Sequence, residues 1–245
     1  MKRSRSTSKQ ALLSVIANNN LLGSLPNELQ TLNKMASLNV FSNTVTGSIP
    51  DGISQCTDLI LLDLEQNLLT GSAFPDSIFD LSSLLAYRVS DNFVSGTISQ
   101  ELSRLQLLEQ LWLATNQLTG TLPTQLGSLS NLETVFLYEN QLTGPLPAQL
   151  GDLKRLEELR LYGNTLQESI PQELAGATNL EHLRLEFNFF TGTVPAALGN
   201  LINLVDLRVE RNSLSGALPE ELGQLTLLGK PKFCVLYWQH ACANS

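Results

Sequence analysis

Apolar residues recur along this chain at fixed offsets from a repeating asparagine. Before Asn116 they are Leu105, Leu108, Leu111 and Leu113, standing 11, 8, 5 and 3 positions ahead of it. The same offsets hold Leu153, Leu156, Leu159 and Leu161 before Asn164, and Leu201, Leu204, Leu207 and Val209 before Asn212. The asparagine returns at Asn43, Asn67, Asn92, Asn116, Asn140, Asn164, Asn188 and Asn212, in steps of 24, 25, 24, 24, 24, 24 and 24 residues. A leucine usually follows two places on and a glycine four places on. Then comes an apolar-proline pair such as Leu122-Pro123, Leu146-Pro147, Val194-Pro195 or Leu218-Pro219. One additional residue in Ser72-Ala73-Phe74-Pro75 accounts for the 25-residue step.

These offsets predict local geometry. Leu-x-Leu has period two, so it predicts a short strand with both leucines on one face. The asparagine falls where the chain must leave that strand. Its amide carries two donors and an acceptor, which suits it to satisfy backbone groups stranded in a tight turn. Glycine opens turn geometry closed to other residues, and proline fixes φ on the return. No single repeat can bury its own leucines. Stacked repeats can, and they then place the asparagines one above another along a continuous core.

Segments such as Leu-Trp-Leu-Ala-Thr-Asn-Gln-Leu-Thr-Gly-Thr-Leu-Pro, residues 111–123, resemble the 24-residue leucine-rich repeats of plant receptor-like kinases, receptor-like proteins and polygalacturonase-inhibiting proteins. The resemblance covers about residues 11–228. It implies an α/β solenoid wound as a right-handed superhelix, with a concave parallel sheet and a convex side of short helical, 3₁₀ or irregular segments. It also implies a second set of short strands from the Leu-Thr-Gly segment. Three positions depart from the pattern: Glu168 stands for glycine, Ser99 for proline and Ala177 for a core leucine. Each is flanked by regular repeats, so local loosening is expected rather than loss of the fold.

The chain divides into a basic segment expected to be disordered (1–10), about nine repeats (11–228) and an atypical tail (229–245). The first repeat is irregular, at Leu12, Val15, Ala17, Asn20 and Leu22. Reading Asn19 as its ladder residue fits the glycine spacing better and the core spacing worse. Lys2, Arg3, Arg5 and Lys9 before residues 11–17 also fit the layout of a secretory signal. Against that, Ser14 interrupts the apolar stretch and the repeat explains the same residues. In the tail, Pro231 falls where a strand leucine is due, and residues 232–238 are β-prone and apolar on both faces. They either add a last strand over the open edge or form an unrelated extension.

Positions between the core leucines face outward on the strand. One such column reads Asn39, Asp63, Arg88, Trp112, Phe136, Arg160, Arg184, Arg208. The next reads Phe41, Glu65, Ser90, Ala114, Tyr138, Tyr162, Glu186, Glu210. Trp112, Phe136, Tyr138 and Tyr162 form an aromatic group that would serve a ligand or merely steady the sheet by mutual stacking. Arg160, Arg184 and Arg208 have the forked donors that hold a carboxylate, but Glu158, Glu186, Asp206 and Glu210 stand ready to neutralise them. The column Glu109, Glu133, Glu157 and Glu181 reads as a solvated margin.

Composition narrows the function. Net charge is −8, with 15 Lys and Arg against 23 Asp and Glu, which argues against a nucleic-acid partner. No apolar run approaches the ~20 residues that span a bilayer, so no direct membrane insertion is expected. There are two histidines, His182 and His240, and no catalytic, metal-binding, phosphate-binding or cofactor motif is visible. Cys56 occupies a core position, while Cys234 and Cys242 are either a pair or two thiols. No Asn-x-Ser/Thr sequon occurs. The expected function is binding of a protein or peptide through the concave sheet, as in a receptor ectodomain at the cell surface. A soluble enzyme inhibitor and an intracellular interaction scaffold are the alternatives.

Overall fold

The computed structural model describes residues 16–229. The secretory-signal reading, the Cys234 and Cys242 question and the segment 232–238 fall largely or wholly outside these residues. Within them the 24-residue period is a stack of parallel coils. Eight strands form one sheet in sequence order: Ser37–Asn39, Leu61–Asp63, Ala86–Arg88, Gln110–Trp112, Thr134–Phe136, Glu158–Arg160, His182–Arg184 and Asp206–Arg208. All neighbours are parallel and in register, so that Leu111 faces Val135 and Val135 faces Leu159. The Leu-Thr-Gly segments form a second, five-stranded parallel sheet from Ser95–Thr97 to Phe189–Thr191. The helical component of the expected α/β class consists of five-residue 3₁₀ turns such as Thr124–Ser128 and Ala148–Asp152.

The inward leucines make one continuous core. Leu105, Leu108, Leu111 and Leu113 are fully buried, as are Leu153, Leu156, Leu159 and Leu161. Each such side chain contributes roughly 1.5–3 kcal/mol when removed from water. Proline opens most of the 3₁₀ turns at φ near its preferred value, as Pro147 does at −63°. Ser99, where proline was due, holds φ −73° and ψ 146°. Its Oγ accepts the Glu101 N–H at 3.1 Å, so the turn is capped rather than loosened. Ala177 is fully buried in its leucine slot. Glu168 takes φ +69°, the left-handed conformation that glycine adopts at Gly120 and Gly144.

The asparagines hold the coils together. Asn140 donates through Nδ2 to the carbonyls of Leu137 at 3.1 Å and Tyr138 at 3.3 Å in its own turn. It reaches back to Leu113 O in the preceding coil at 2.9 Å, and its Oδ1 accepts the Leu118 N–H at 2.9 Å. The same four contacts recur around Asn43, Asn92 and Asn188. The residue before each asparagine turns left-handed, as at Thr115 (φ +52°) and Phe187 (φ +55°). The same signature settles the first coil: Asn18 has φ +55°, and Asn19 Nδ2 donates to Ile16 O and Ala17 O at 3.1 and 2.9 Å. Asn19 is therefore the ladder residue, and the core spacing before it is the irregular part.

The inserted residue of the 25-residue coil is absorbed by aromatic packing. Tyr87 replaces the strand leucine, is fully buried and donates its hydroxyl to Ala73 O in the insertion. Phe74 packs against Tyr87 at 5.7 Å and Phe79 at 6.1 Å between ring centroids. Burial raises the Tyr87 phenol far above its usual range, so it remains a donor.

Two outcomes test this account by chemical unfolding. Asn140→Ala strips four contacts from buried or half-buried backbone groups and should cost about 1–3 kcal/mol, whereas a neutral result would exclude the ladder as a cohesive element. Tyr87→Phe keeps the ring but strands the Ala73 carbonyl. It should cost about 1–3 kcal/mol, and an unchanged midpoint would show that the insertion needs no such tie.

Candidate ligand-binding face

Parallel strands in register bring like positions side by side, so the outward columns of the main sheet become rows of touching side chains. Arg88, Trp112, Phe136, Arg160, Arg184 and Arg208 are successive partners across six strands. Trp112 and Phe136 stack with centroids 5.0 Å apart at 19°, and Tyr138 and Tyr162 with centroids 4.4 Å apart at 7°. Phe136 and Tyr138 join the two rows at 6.4 Å. Guanidinium groups close the ends: Arg88 lies 4.1 Å over Trp112, Arg160 4.7 Å over Phe136 and Arg184 4.4 Å over Tyr162. Trp112 Nε1 donates to Thr134 Oγ1 at 2.7 Å.

The structure thus brings all four aromatic candidates together, and it spends their ring faces on one another and on arginine. All four rings are half-buried. Burial pushes the hydroxyls of Tyr138 and Tyr162 upward, keeping both as neutral donors.

The arginine candidates are paired. Arg160 Nη2 lies 2.6 Å from Glu158 Oε2, and Arg208 Nε donates to Asp206 Oδ1 at 3.1 Å. Arg184 donates through both Nε and Nη2 to a single oxygen, Glu186 Oε1. Glu186 is 1% exposed. Its other oxygen, Oε2, and Arg160 Nε are buried without a hydrogen-bond partner among the described residues. The glutamate column at the sheet margin is tied differently, with Arg155 contacting Glu133 and standing 4.0 Å from Glu109. His182 lies half-buried on the same sheet. Among the described residues no group of His, Cys, Asp and Glu is placed to hold a metal.

Two participants stand in the outward columns of the sequence without being singled out there. Arg88 precedes Trp112 in the column, and that adjacency was its only signal. It also bonds Gln110 and faces Asp63 at 3.5 Å. Glu65 is the other. Burial, then the neighbouring charge of Asp63, push its carboxyl up to about 8, with the Ser90 hydrogen bond and Arg88 opposing. Asp63 is itself buried, raised by desolvation against the pull of Arg88, and it accepts from Asn39 Nδ2 at 3.1 Å.

Stacked 24-residue coils, a shared leucine core, an asparagine ladder and an open parallel sheet define a leucine-rich-repeat solenoid. The chain carries leucine-rich repeats of about 24 residues. The Leucine Rich Repeat model matches residues 107–129, 131–153, 155–177 and 179–201. Among solved structures, it is similar to the plant peptide hormone receptor RGFR1 in complex with RGF2, at 37% identity and TM-score 0.84, over 86% of this chain and 34% of that one. It is similar also to the Arabidopsis receptor kinase HAESA in complex with the peptide hormone IDA and the co-receptor SERK1, at 31% identity and TM-score 0.83, over 86% and 35%. A Leptospira interrogans leucine-rich-repeat protein aligns at 32% identity and TM-score 0.72, over 88% and 52%. The chain therefore spans about a third of the plant receptor chains it matches. No curated protein matches it significantly. No helix of the described residues is long and apolar enough to cross a membrane.

The Glu65 carboxyl makes a prediction about pH. Its folded value lies above the ordinary 4.5, so the folded state holds a proton that the unfolded state releases. Its contribution to stability is full below pH ~4.5 and declines as pH rises toward about 8. Glu65→Gln should therefore gain on the wild type in thermal midpoint between pH 5 and pH 8. A difference between the two proteins that does not change with pH would exclude this role.

Proposed function

We propose that this chain is a recognition module that binds an extended peptide or protein segment across its main sheet. The observation that carries the reading is the Arg88-Trp112-Phe136-Arg160 row with Tyr138 and Tyr162 beside it. It is a preorganised group of aromatic and arginine side chains on a sheet face that no other element of the described fold covers. Trp, Tyr and Arg are the residue types that dominate binding energy at protein interfaces. Their mutual stacking, which alone would be a structural role, also immobilises them, so little side-chain entropy is lost on binding.

The similarity to receptors solved with peptide hormones supports a peptide-sized ligand. The ion pairs limit the arginine row as a carboxylate anchor, because a ligand acid must compete with Glu158, Glu186 and Asp206. Aromatic contact therefore supplies most of the affinity, and charge orients the ligand. Binding without catalysis is part of this reading, since nearly every residue singled out serves the coil or the face. Presentation at the cell surface, as part of a longer receptor, follows the plant relatives. The enzyme-inhibitor and scaffold alternatives would use the same face.

The test is selection of a displayed random-peptide library on the immobilised chain. Enriched peptides should lose at least about tenfold in affinity for a Trp112→Ala, Tyr138→Ala double variant whose far-ultraviolet circular dichroism is unchanged. Peptides that bind both proteins equally, or a library that yields none, would overturn the proposal.

A further inference from the structure

The second sheet presents a face unlike the first. The eight strands of the main sheet carry seven charged residues, among them Asp63, Arg88 and Asp206. The five strands from Ser95–Thr97 to Phe189–Thr191 carry one, Glu168. Leu118, Leu142, Leu166 and Phe190 point inward and are fully buried. The exposed positions between them are threonine, serine, glutamine or glycine, apart from Phe189 and Glu168. Their hydroxyls are tied down: Thr119 Oγ1 donates to Gly96 O at 3.4 Å and Thr143 Oγ1 to Gly120 O at 3.3 Å. Side chains already held in this way lose little entropy when a surface settles on them. Among the described residues nothing covers this face, since Thr119, Thr121 and Thr143 are all exposed.

Two apolar pairs bracket the hydroxyls. Leu68 and Phe93 hold the same position in adjacent coils and are 43% and 50% exposed. Phe187 and Phe189 share one coil at the other end and are 56% and 57% exposed. A lone exposed apolar residue is ordinary, but charge depletion combined with exposed aromatics is the composition of an interface core. The position that holds Leu68 and Phe93 continues through Gln117, Gln141 and Thr165 to Phe189. Its midpoint lies between Gln117 and Gln141. A two-fold axis along the strands at that midpoint sets Leu68 of one copy against Phe189 of the other. The same axis sets Gln117 against Gln141, amides that each donate and accept, and Thr119 against Thr143. The one charge, Glu168, falls opposite Gly96, which has no side chain in its way.

A second copy of the chain is the occupant this face suits. Self-complementarity about one axis is what an isologous dimer requires. Copies of a chain with net charge −8 repel one another, and this face brings no charge to the contact beyond Glu168. From Leu68 to Phe189 the coils rise roughly 24 Å and a five-residue strand spans roughly 16 Å, a footprint of roughly 400 Å² per copy. That is about half of the ~800 Å² per partner found in stable complexes, so the contact is weak and reversible. We propose that two copies of this chain pair through the second sheet, antiparallel along their stacking axes, with Leu68 and Phe93 of each packed on Phe189 and Phe187 of the other. The main sheet takes no part in this contact, so the pairing does not rest on the ligand-binding reading.

Sedimentation velocity of the full chain across a concentration series tests it. The wild type should dimerise with a dissociation constant of roughly 10–100 µM. Leu68→Lys and Phe189→Glu should each raise that constant at least about tenfold, with far-ultraviolet circular dichroism unchanged because both side chains are exposed. In the double variant the two new charges are opposite and meet across the axis. Its constant should return to within about threefold of the wild type. A wild type that stays monomeric at about 0.5 mM would overturn the proposal. So would a dimer that both single variants leave intact, which would lie on another face, or a double variant that recovers nothing, which would exclude the antiparallel pairing.

Discussion

The structure depends on one contact repeated: an asparagine amide that closes its own turn and grips the coil before it. Asn140 uses Nδ2 on three carbonyls and Oδ1 on an N–H, and two of its four partners, Leu113 and Leu118, belong to the previous repeat. A turn satisfied in this way needs no helix or long loop to shield its backbone. The return path can then be a five-residue 3₁₀ turn, which keeps the coil at 24 residues and the strands in register. Register, in turn, is what stacks Trp112 on Phe136. The rows of aromatic and arginine side chains are thus a consequence of the ladder, because a strand that slipped by one residue would send its side chains to the opposite face.

Much of this was legible because the repeat reports the same physics several times over. The core leucines, the ladder asparagines and the outward columns all follow from position within the period, and the structure places Leu111, Val135 and Leu159 on adjacent strands as that period requires. What the period did not reveal lies in the exceptions. Ser99 looked like a weak proline, but a hydroxyl caps the same turn by accepting an N–H. The left-handed residue before each asparagine is invisible in the letters, since Thr115, Glu139 and Phe187 share it with Gly163. A position that demands φ > 0 and yet admits a β-branched residue is held there by the ladder on either side, not by its own preference.

The face was less legible than the fold. A column tells which side chains are neighbours, but not whether they spend their chemistry on each other. Arg160, Arg184 and Arg208 read either as donors for a carboxylate or as partners of the flanking acids, and each meets an acid two positions away on its own strand segment. Glu158 and Asp206 precede their arginines and Glu186 follows its own. Nothing in the spacing says which acid will be taken. Glu65 shows the converse: an ordinary glutamate in the alignment of coils becomes a proton-holding group because its carboxyl is desolvated on the sheet and the Asp63 charge lies beside it.

The division between scaffold and face bears on how such a module acquires a ligand. Inward positions are constrained by packing and ladder positions by backbone satisfaction, so the outward columns are where a substitution disturbs the coil least. Those columns are not independent either. Changing Phe136 alters what covers Trp112, Arg160 and Tyr138 at once, because all three lie against it. The chemistry this sheet presents is therefore a property of a row rather than of a residue. A fold shared with peptide hormone receptors supplies the rows without fixing their chemistry, and under the proposed function the choice of ligand rests with the particular sequence of rings and guanidinium groups this chain carries.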